Sequence, residues 1–265
     1  MKPVVIRNVR IGEGIPKICV PITGTKKEEI LCEAETVCHS PADIAEWRAD
    51  WYEDVFEGVR IDELLKEIRG ILGDMPLLFT FRTLKEGGKR EAGLNEYMKL
   101  NRSALLSGCV DLIDVELFTG DEAVTELICE AHRRNVRVIV SSHDFKKTPR
   151  KEELIRRLCK MQELKGDICK LAVMPENKKD VLTLLAATEE MMREHADRPV
   201  ITMSMAADGV LSRLCGELTG SAVTFGQTGR ASAPGQIEAG KLRAVLDILH
   251  EGMNSYMDSQ MRTDN

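Results

Sequence analysis

Lys170 stands in the run DICKLAVM, with apolar residues on both sides, where a strand buried on both faces would normally carry no charge. An amine kept from water can bond covalently to a carbonyl, because only the unprotonated nitrogen is a nucleophile. His143 follows VRVIV within SSHDF, and an imidazole, with an ordinary pKa of about 6.5, can move protons in either direction near neutrality. Glu46 and Arg48 lie two apart in EWRAD, Asp114 and Glu116 two apart in LIDVEL, and Arg82 ends LLFTFR. Strand side chains alternate, so each pair shares one face, as Lys170 does with Ile168 and Ala172. Each residue also has a plain structural role open to it. A strand lysine can sit at an exposed edge, a histidine can cap, and Glu46 with Arg48 can form an internal ion pair. For Asp114 and Glu116 that last role is the expectation.

These charges recur at the C-terminal ends of short apolar runs, and the runs alternate with amphipathic stretches. Candidate strands begin at Lys17, Asp43, Pro76, Asp111, Val136, Asp167, Pro199 and Ser221. Between them apolar residues keep helical spacing, as in Ile30/Ala34/Val37, Leu64/Ile68/Leu72, Val124/Leu127/Ile128/Ala131, Val181/Leu184/Leu185/Thr188 and Leu242/Val245/Leu246/Leu249. Strand–helix alternation predicts a parallel sheet, and eight such units in about this length predict an α/β fold, a single (β/α)8 TIM barrel over residues 1–265. Residues 1–16 read as an N-terminal β-hairpin closing one end, and 253–265 as a frayed tail. If the charged faces look inward, they line one barrel mouth.

Composition narrows the function. The chain has 265 residues, 37 basic against 43 acidic, for a net charge of −6, with no basic stripe, so nucleic acid is excluded as a partner. No apolar run approaches the ~18 residues of a membrane helix, and the start MKPVVIRNVRIGEG lacks the apolar core of a secretory signal; the expectation is a cytoplasmic protein without membrane contact. Eight scattered cysteines form no C-x-x-C pair and read as reduced core thiols. The histidines, His39, His132, His143, His195 and His250, are too dispersed for a catalytic metal centre, and no metal is expected.

The ordered series EWRAD (46–50), FTFRTLKEGG (79–88), DVELF (114–118), SSHDF (141–145), KLAVMP (170–175), ITMSM (201–205), SRLCGE (212–217), GSAVTFG (220–226) and SAPGQI (232–237) resembles the type I 3-dehydroquinate dehydratases along nearly the whole chain. The resemblance implies dehydration of 3-dehydroquinate to 3-dehydroshikimate in the shikimate pathway, through a Schiff base, with no cofactor, in a homodimer. It implies that Lys170 forms the imine, that His143 is the general acid/base and that Glu86 pairs with it. Glu46, Arg48, Arg82, Arg213, Ser232 and Gln236 would hold substrate. Pro21 stands where some members carry serine, and Leu84 where a polar residue is more usual.

The residue types suit the reaction. A protonated imine is a stronger electron sink than a ketone, so it acidifies the neighbouring C–H. Burial and nearby arginines, Arg48, Arg82 and Arg213, are expected to draw the Lys170 pKa down. A single imidazole can take the proton and hand it to the departing hydroxyl if both leave from one face, and Glu86 would orient it. Arg213 offers a planar fork for a carboxylate. The segment 226–236, GQTGRASAPGQ, reads either as a surface loop or as a lid carrying Ser232 and Gln236 onto the substrate. Met203 and Met205 either pack on the ring or fill the core. The alternatives are another Schiff-base barrel enzyme such as a class I aldolase, and a non-catalytic sensor that keeps the barrel; a quinate-degrading role is equally compatible.

Overall fold

The computed structural model describes residues 2–229 and 231–263, with side chains described for these except 58–60 and 255–263. A hairpin opens the chain, β1 (Val4–Ile6) antiparallel to β2 (Val9–Ile11). Strand and helix then alternate: β3 (Lys17–Ile22), α1 (Lys27–Cys38), β4 (Ile44–Arg48), α2 (Gly58–Leu72), β5 (Leu77–Thr80), α3 (Leu94–Leu106), β6 (Leu112–Glu116), α4 (Asp121–His132) and β7 (Arg137–Asp144). The second part continues with α5 (Lys151–Glu163), β8 (Ile168–Val173), α6 (Lys178–Glu190), β9 (Val200–Ser204), the short α7 (Val210–Leu214) and α8 (Gly216–Thr219), β10 (Val223–Gln227), the two-residue β11 (Ile237–Glu238) and α9 (Ala239–Thr263). The eight expected strands are β3 to β10. The last helix runs through the segment from 253 expected to fray, of which 264 and 265 lie outside the described residues.

All eight pair in parallel, in the order β10-β3-β4-β5-β6-β7-β8-β9. The ring closes between β9 and β10 through the residues just ahead of β10. The Ala222 N–H donates to the Val200 carbonyl at 2.8 Å, and the Ser221 hydroxyl accepts from the Thr202 N–H at 3.0 Å. A closed sheet has two faces, and strand alternation assigns each residue to one of them. Ala45, Trp47, Phe79, Ile113, Val115, Val140, Leu171 and Val173 face outward and pack with the apolar stripes of the helices. Ile44, Leu78, Leu112, Ile139, Ile168 and Ile201 face inward as an apolar layer. That layer would meet water at the N-terminal end of the barrel, and the hairpin covers it: Ile6 and Ile11 join the same cluster, and Arg7 in the turn bonds Asp111 at 2.8 Å ahead of β6.

The helical periodicities hold with three departures, the first being Val245, which is only partly buried on α9. Leu185 is only partly buried, its place taken by Ala187, and Leu249 is 39% exposed on the outer side of α9. Because Ile11 is fully buried against the inner layer, Ile11→Ala is expected to lower the free energy of urea unfolding by about 2–5 kcal/mol. An unchanged midpoint would mean that the hairpin does not fold as part of the barrel.

Candidate active site

Above the apolar layer the inward positions become polar. Two residues up from Ile44, Leu78, Leu112, Ile139 and Ile168 stand Glu46, Thr80, Asp114, Ser141 and Lys170, and two further up stand Arg48, Arg82, Glu116, His143 and Ala172. They surround a small cavity at the C-terminal end of the strands, lined by Glu46, Arg48, Arg82, Glu86, His143, Lys170, Arg213, Ser232 and Gln236 among others. Lys170, His143, Glu86 and the six residues that the resemblance assigns to substrate thus all line this one cavity. Lys170 is buried, its Nζ 3.4 Å from Asp114 Oδ2, 3.8 Å from Glu46 Oε1 and 4.3 Å from the centre of the Phe225 ring. Its nearest charges are therefore carboxylates, where the sequence suggested arginines.

Both central arginines are occupied. Arg48 forms a two-pronged pair with Asp50, Nε and Nη2 each at 2.8 Å, and the fully buried Asp50 also accepts the N–H groups of Arg82 and Lys89. Arg82 reaches three carboxylates: Asp114 at 2.8 Å, Glu116 at 3.0 Å and Glu86 at 3.5 Å. Its Nη1 also donates to Ser141 at 3.0 Å. The expected ion-pairing role of Asp114 and Glu116 thus has Arg82 as its partner. Sequence reasoning left Asp50 unassigned although EWRAD contains it; a carboxylate two residues from a strand arginine was the available signal.

Glu86 sits in the turn after β5, where Gly87 has φ of 84° and a side chain there would strike the Phe145 ring. That contact holds the turn against the strand carrying His143. Glu86 Oε2 accepts the His143 backbone N–H at 3.0 Å and lies 2.9 Å from Nδ1, which leaves Nε2 for the cavity. Burial pushes Glu86 up to about 8, against the pull of Arg82 and with help from Glu116 and Asp114. Burial, then Arg82, Lys170 and Arg48, hold the His143 ring well below its ordinary 6.5. Above about pH 8 the pair is a carboxylate beside a neutral imidazole, a proton acceptor aimed into the cavity.

Arg213 differs from the other two arginines. It is 1% exposed, yet among the described residues no carboxylate pairs with it. Nη2 donates to the Pro234 carbonyl at 3.1 Å, Nη1 meets Met203 Sδ at 3.8 Å, and Nε has no partner. Burial alone draws its pKa down to about 10. The same loop presents Ser232 and Gln236: Gln236 Oε1 accepts the Ser232 N–H at 2.8 Å and Nε2 donates to the Ser232 hydroxyl at 3.0 Å. Met203 and Met205 are buried and line the cavity. Pro21 is buried in β3 level with Glu46 and offers no donor, and Leu84 is exposed on the outside.

The family model described as Type I 3-dehydroquinase matches residues 18–253. This chain belongs to that family. A 3-dehydroquinate dehydratase of Clostridioides difficile strain 630 is 52% identical over 253 residues, covering 96% of this chain and 99% of that protein. One of Bacillus licheniformis is 51% identical over 252 residues, with 95% and 99% covered. A crystal structure of the type I 3-dehydroquinate dehydratase of Clostridium difficile with covalent modified comenic acid superimposes with a TM-score of 0.93 at 52% identity, covering 95% of this chain and all of that one. As a type I 3-dehydroquinase the chain is a hydro-lyase of the shikimate pathway, which sets aside the aldolase and sensor alternatives. Among the described residues no helix is long and apolar enough to cross a membrane. One set of three donors could converge on an ion, Glu190, Glu194 and His195. It lies beyond α6 at the opposite barrel end, with its carboxylates already paired to Lys151 and Arg193.

The shared proton of the type I 3-dehydroquinase pair has a measurable consequence. In the unfolded chain Glu86 titrates near 4.5 and His143 near 6.5. Between those values the folded pair, a carboxylic acid with a neutral ring, holds as many protons as the unfolded carboxylate and imidazolium. From pH 6.5 to 8 the folded pair keeps a proton that the unfolded chain has lost, so stability falls as pH rises, by roughly 2 kcal/mol. Urea unfolding across that range is expected to show the decline and Glu86→Gln to flatten it. Parallel curves would show that Glu86 does not hold the proton.

Proposed function

We propose that this cavity dehydrates 3-dehydroquinate to 3-dehydroshikimate through an imine on Lys170, with His143 as general acid/base and Glu86 orienting it. The observation that carries the reading is that a buried lysine amine and a histidine held through Nδ1 by a carboxylate open onto one cavity. The covalent modified comenic acid of the Clostridium difficile relative supports a covalent step. Lys170 would attack the ketone; His143 would pass protons while the carbinolamine loses water, take the proton beside the imine, and return it to the departing hydroxyl. Glu86 would keep Nδ1 engaged so that Nε2 does this work.

The buried, carboxylate-free Arg213 is matched to the substrate's carboxylate, since an unpaired guanidinium in a dry site gains most from an anion. Ser232 and Gln236 would complete that end as a lid over 226–236. Glu46 would meet ring hydroxyls, with Arg48 and Arg82 supporting through the charges they already hold. The reading includes neither metal nor organic cofactor, and it takes the enzyme as a cytoplasmic homodimer.

Borohydride reduction in the presence of 3-dehydroquinate, followed by peptide mass mapping, is expected to leave a substrate adduct on Lys170; an adduct elsewhere, or none, refutes the mechanism. His143→Ala should still trap imine while turning over ~10²–10⁴-fold more slowly. Arg213→Met, which removes the charge but keeps the volume, is expected to raise KM at least ~10-fold, given roughly 1.5–3 kcal/mol for each charge-assisted hydrogen bond. An unchanged KM would release Arg213 from this role.

A further inference from the structure

We propose that Asp114 is the counter-anion of the imine nitrogen, a catalytic residue that pairs with Lys170 while its nitrogen is ammonium and again when it is iminium. This rests on the imine reading of Lys170. Asp114 Oδ2 lies 3.4 Å from Nζ, and the side chain is fully buried. Arg82 Nη2 holds that oxygen at 2.8 Å, and the Ser141 hydroxyl donates to Oδ1 at 2.6 Å, so the carboxylate is clamped from two sides. Burial pushes its pKa up, but Arg82, Lys170 and Ser141 outweigh burial and keep it below the ordinary carboxylate value.

Glu46 is the rival anion and is less suited. It is 3.8 Å from Nζ, it takes one hydrogen bond, from the Thr80 hydroxyl at 2.9 Å, and it stands on the cavity wall. A polyhydroxylated ring can therefore recruit it. Asp114 is not on that wall, so no substrate hydroxyl draws it away.

The charge at nitrogen returns to the same place through the cycle. Ammonium plus ketone equals iminium plus water: nitrogen gives up two protons, its lone pair forms the C–N bond, and the ketone oxygen leaves with those two protons. The C–H electron pair next to the imine carbon then flows onto nitrogen, which is briefly neutral. It flows back as the neighbouring hydroxyl departs, protonated, as water. A carboxylate that never moves stabilises each cationic stage.

Other charges bear on this nitrogen. On β4 they are Glu46 and Arg48, after β5 Arg82 and Glu86, and on β6 Glu116 beside Asp114. His143 on β7, Cys19 on β3 and Arg213 of α7 also face this region, Tyr97 of α3 lies beside Asp114, and none is altered by the test. In Asp114→Asn the free amine is expected to appear at lower pH and the iminium to lose its proton at lower pH. The whole pH window of borohydride-trapped Lys170 adduct should slide downward by about 1–3 units. A window lowered in height but fixed in position would overturn the proposal and leave Asp114 structural. Absence of any Lys170 adduct in the unsubstituted enzyme would instead overturn the imine reading. If circular dichroism finds Asp114→Asn unfolded, Ser141→Ala decides: with the charge kept and its hydrogen bond removed, the window should move upward, and a fixed window overturns the proposal.

Discussion

Arg82 cannot be buried alone, and much of the active site follows from that. Taking a guanidinium out of water costs several kcal/mol, which the interior must return through close anions and filled hydrogen bonds. Here Asp114, Glu116 and Glu86 surround it, and Ser141 accepts a further N–H. These partners come from β6, from the turn after β5 and from β7, so one cation fixes three neighbouring segments in register. The anions are shared in turn. Asp114 also faces Lys170, and Glu86 also holds His143. The Lys170 amine and the His143 ring are thereby positioned by the same network that keeps the barrel mouth electrically tolerable.

Arg213 shows the opposite solution. It is as deeply buried, but burial alone shifts it, and its contacts are a carbonyl, a thioether and an unfilled Nε. A network that neutralises itself is stable without substrate, whereas a cation left without an anion stores a demand that a carboxylate can meet. Both kinds of arginine line the cavity that Lys170 also lines. That division separates the arginines neutralised by the protein's own carboxylates from the one that is not.

Much was legible beforehand because strand geometry is simple. With a period of two, Ile168 and Ala172 facing inward oblige Lys170 to do so, and the same holds for Glu46 above Ile44 and Asp114 above Leu112. The hairpin was legible from its alternating VVIRNVRI, and its burial follows from the apolar ring beneath the polar layer. Helix faces were read less well at Leu185, Val245 and Leu249, where outer packing decided which apolar residue was covered. Glu86 lies in an irregular turn, where periodicity says nothing, and only the family motif singled it out.

The sequence by itself determined the alternation of eight apolar runs with amphipathic stretches, the inward direction of the charged strand residues, and the family. Those are properties of neighbours along the chain. Only the tertiary structure decided which charge meets which: that Arg48 takes Asp50, that Arg82 takes three carboxylates, that Lys170 faces Asp114 in place of an arginine, and that Arg213 is left open. Electrostatic partnership falls off over a few ångströms, and closing the barrel brings Asp114 and Lys170, 56 residues apart in sequence, within 3.4 Å.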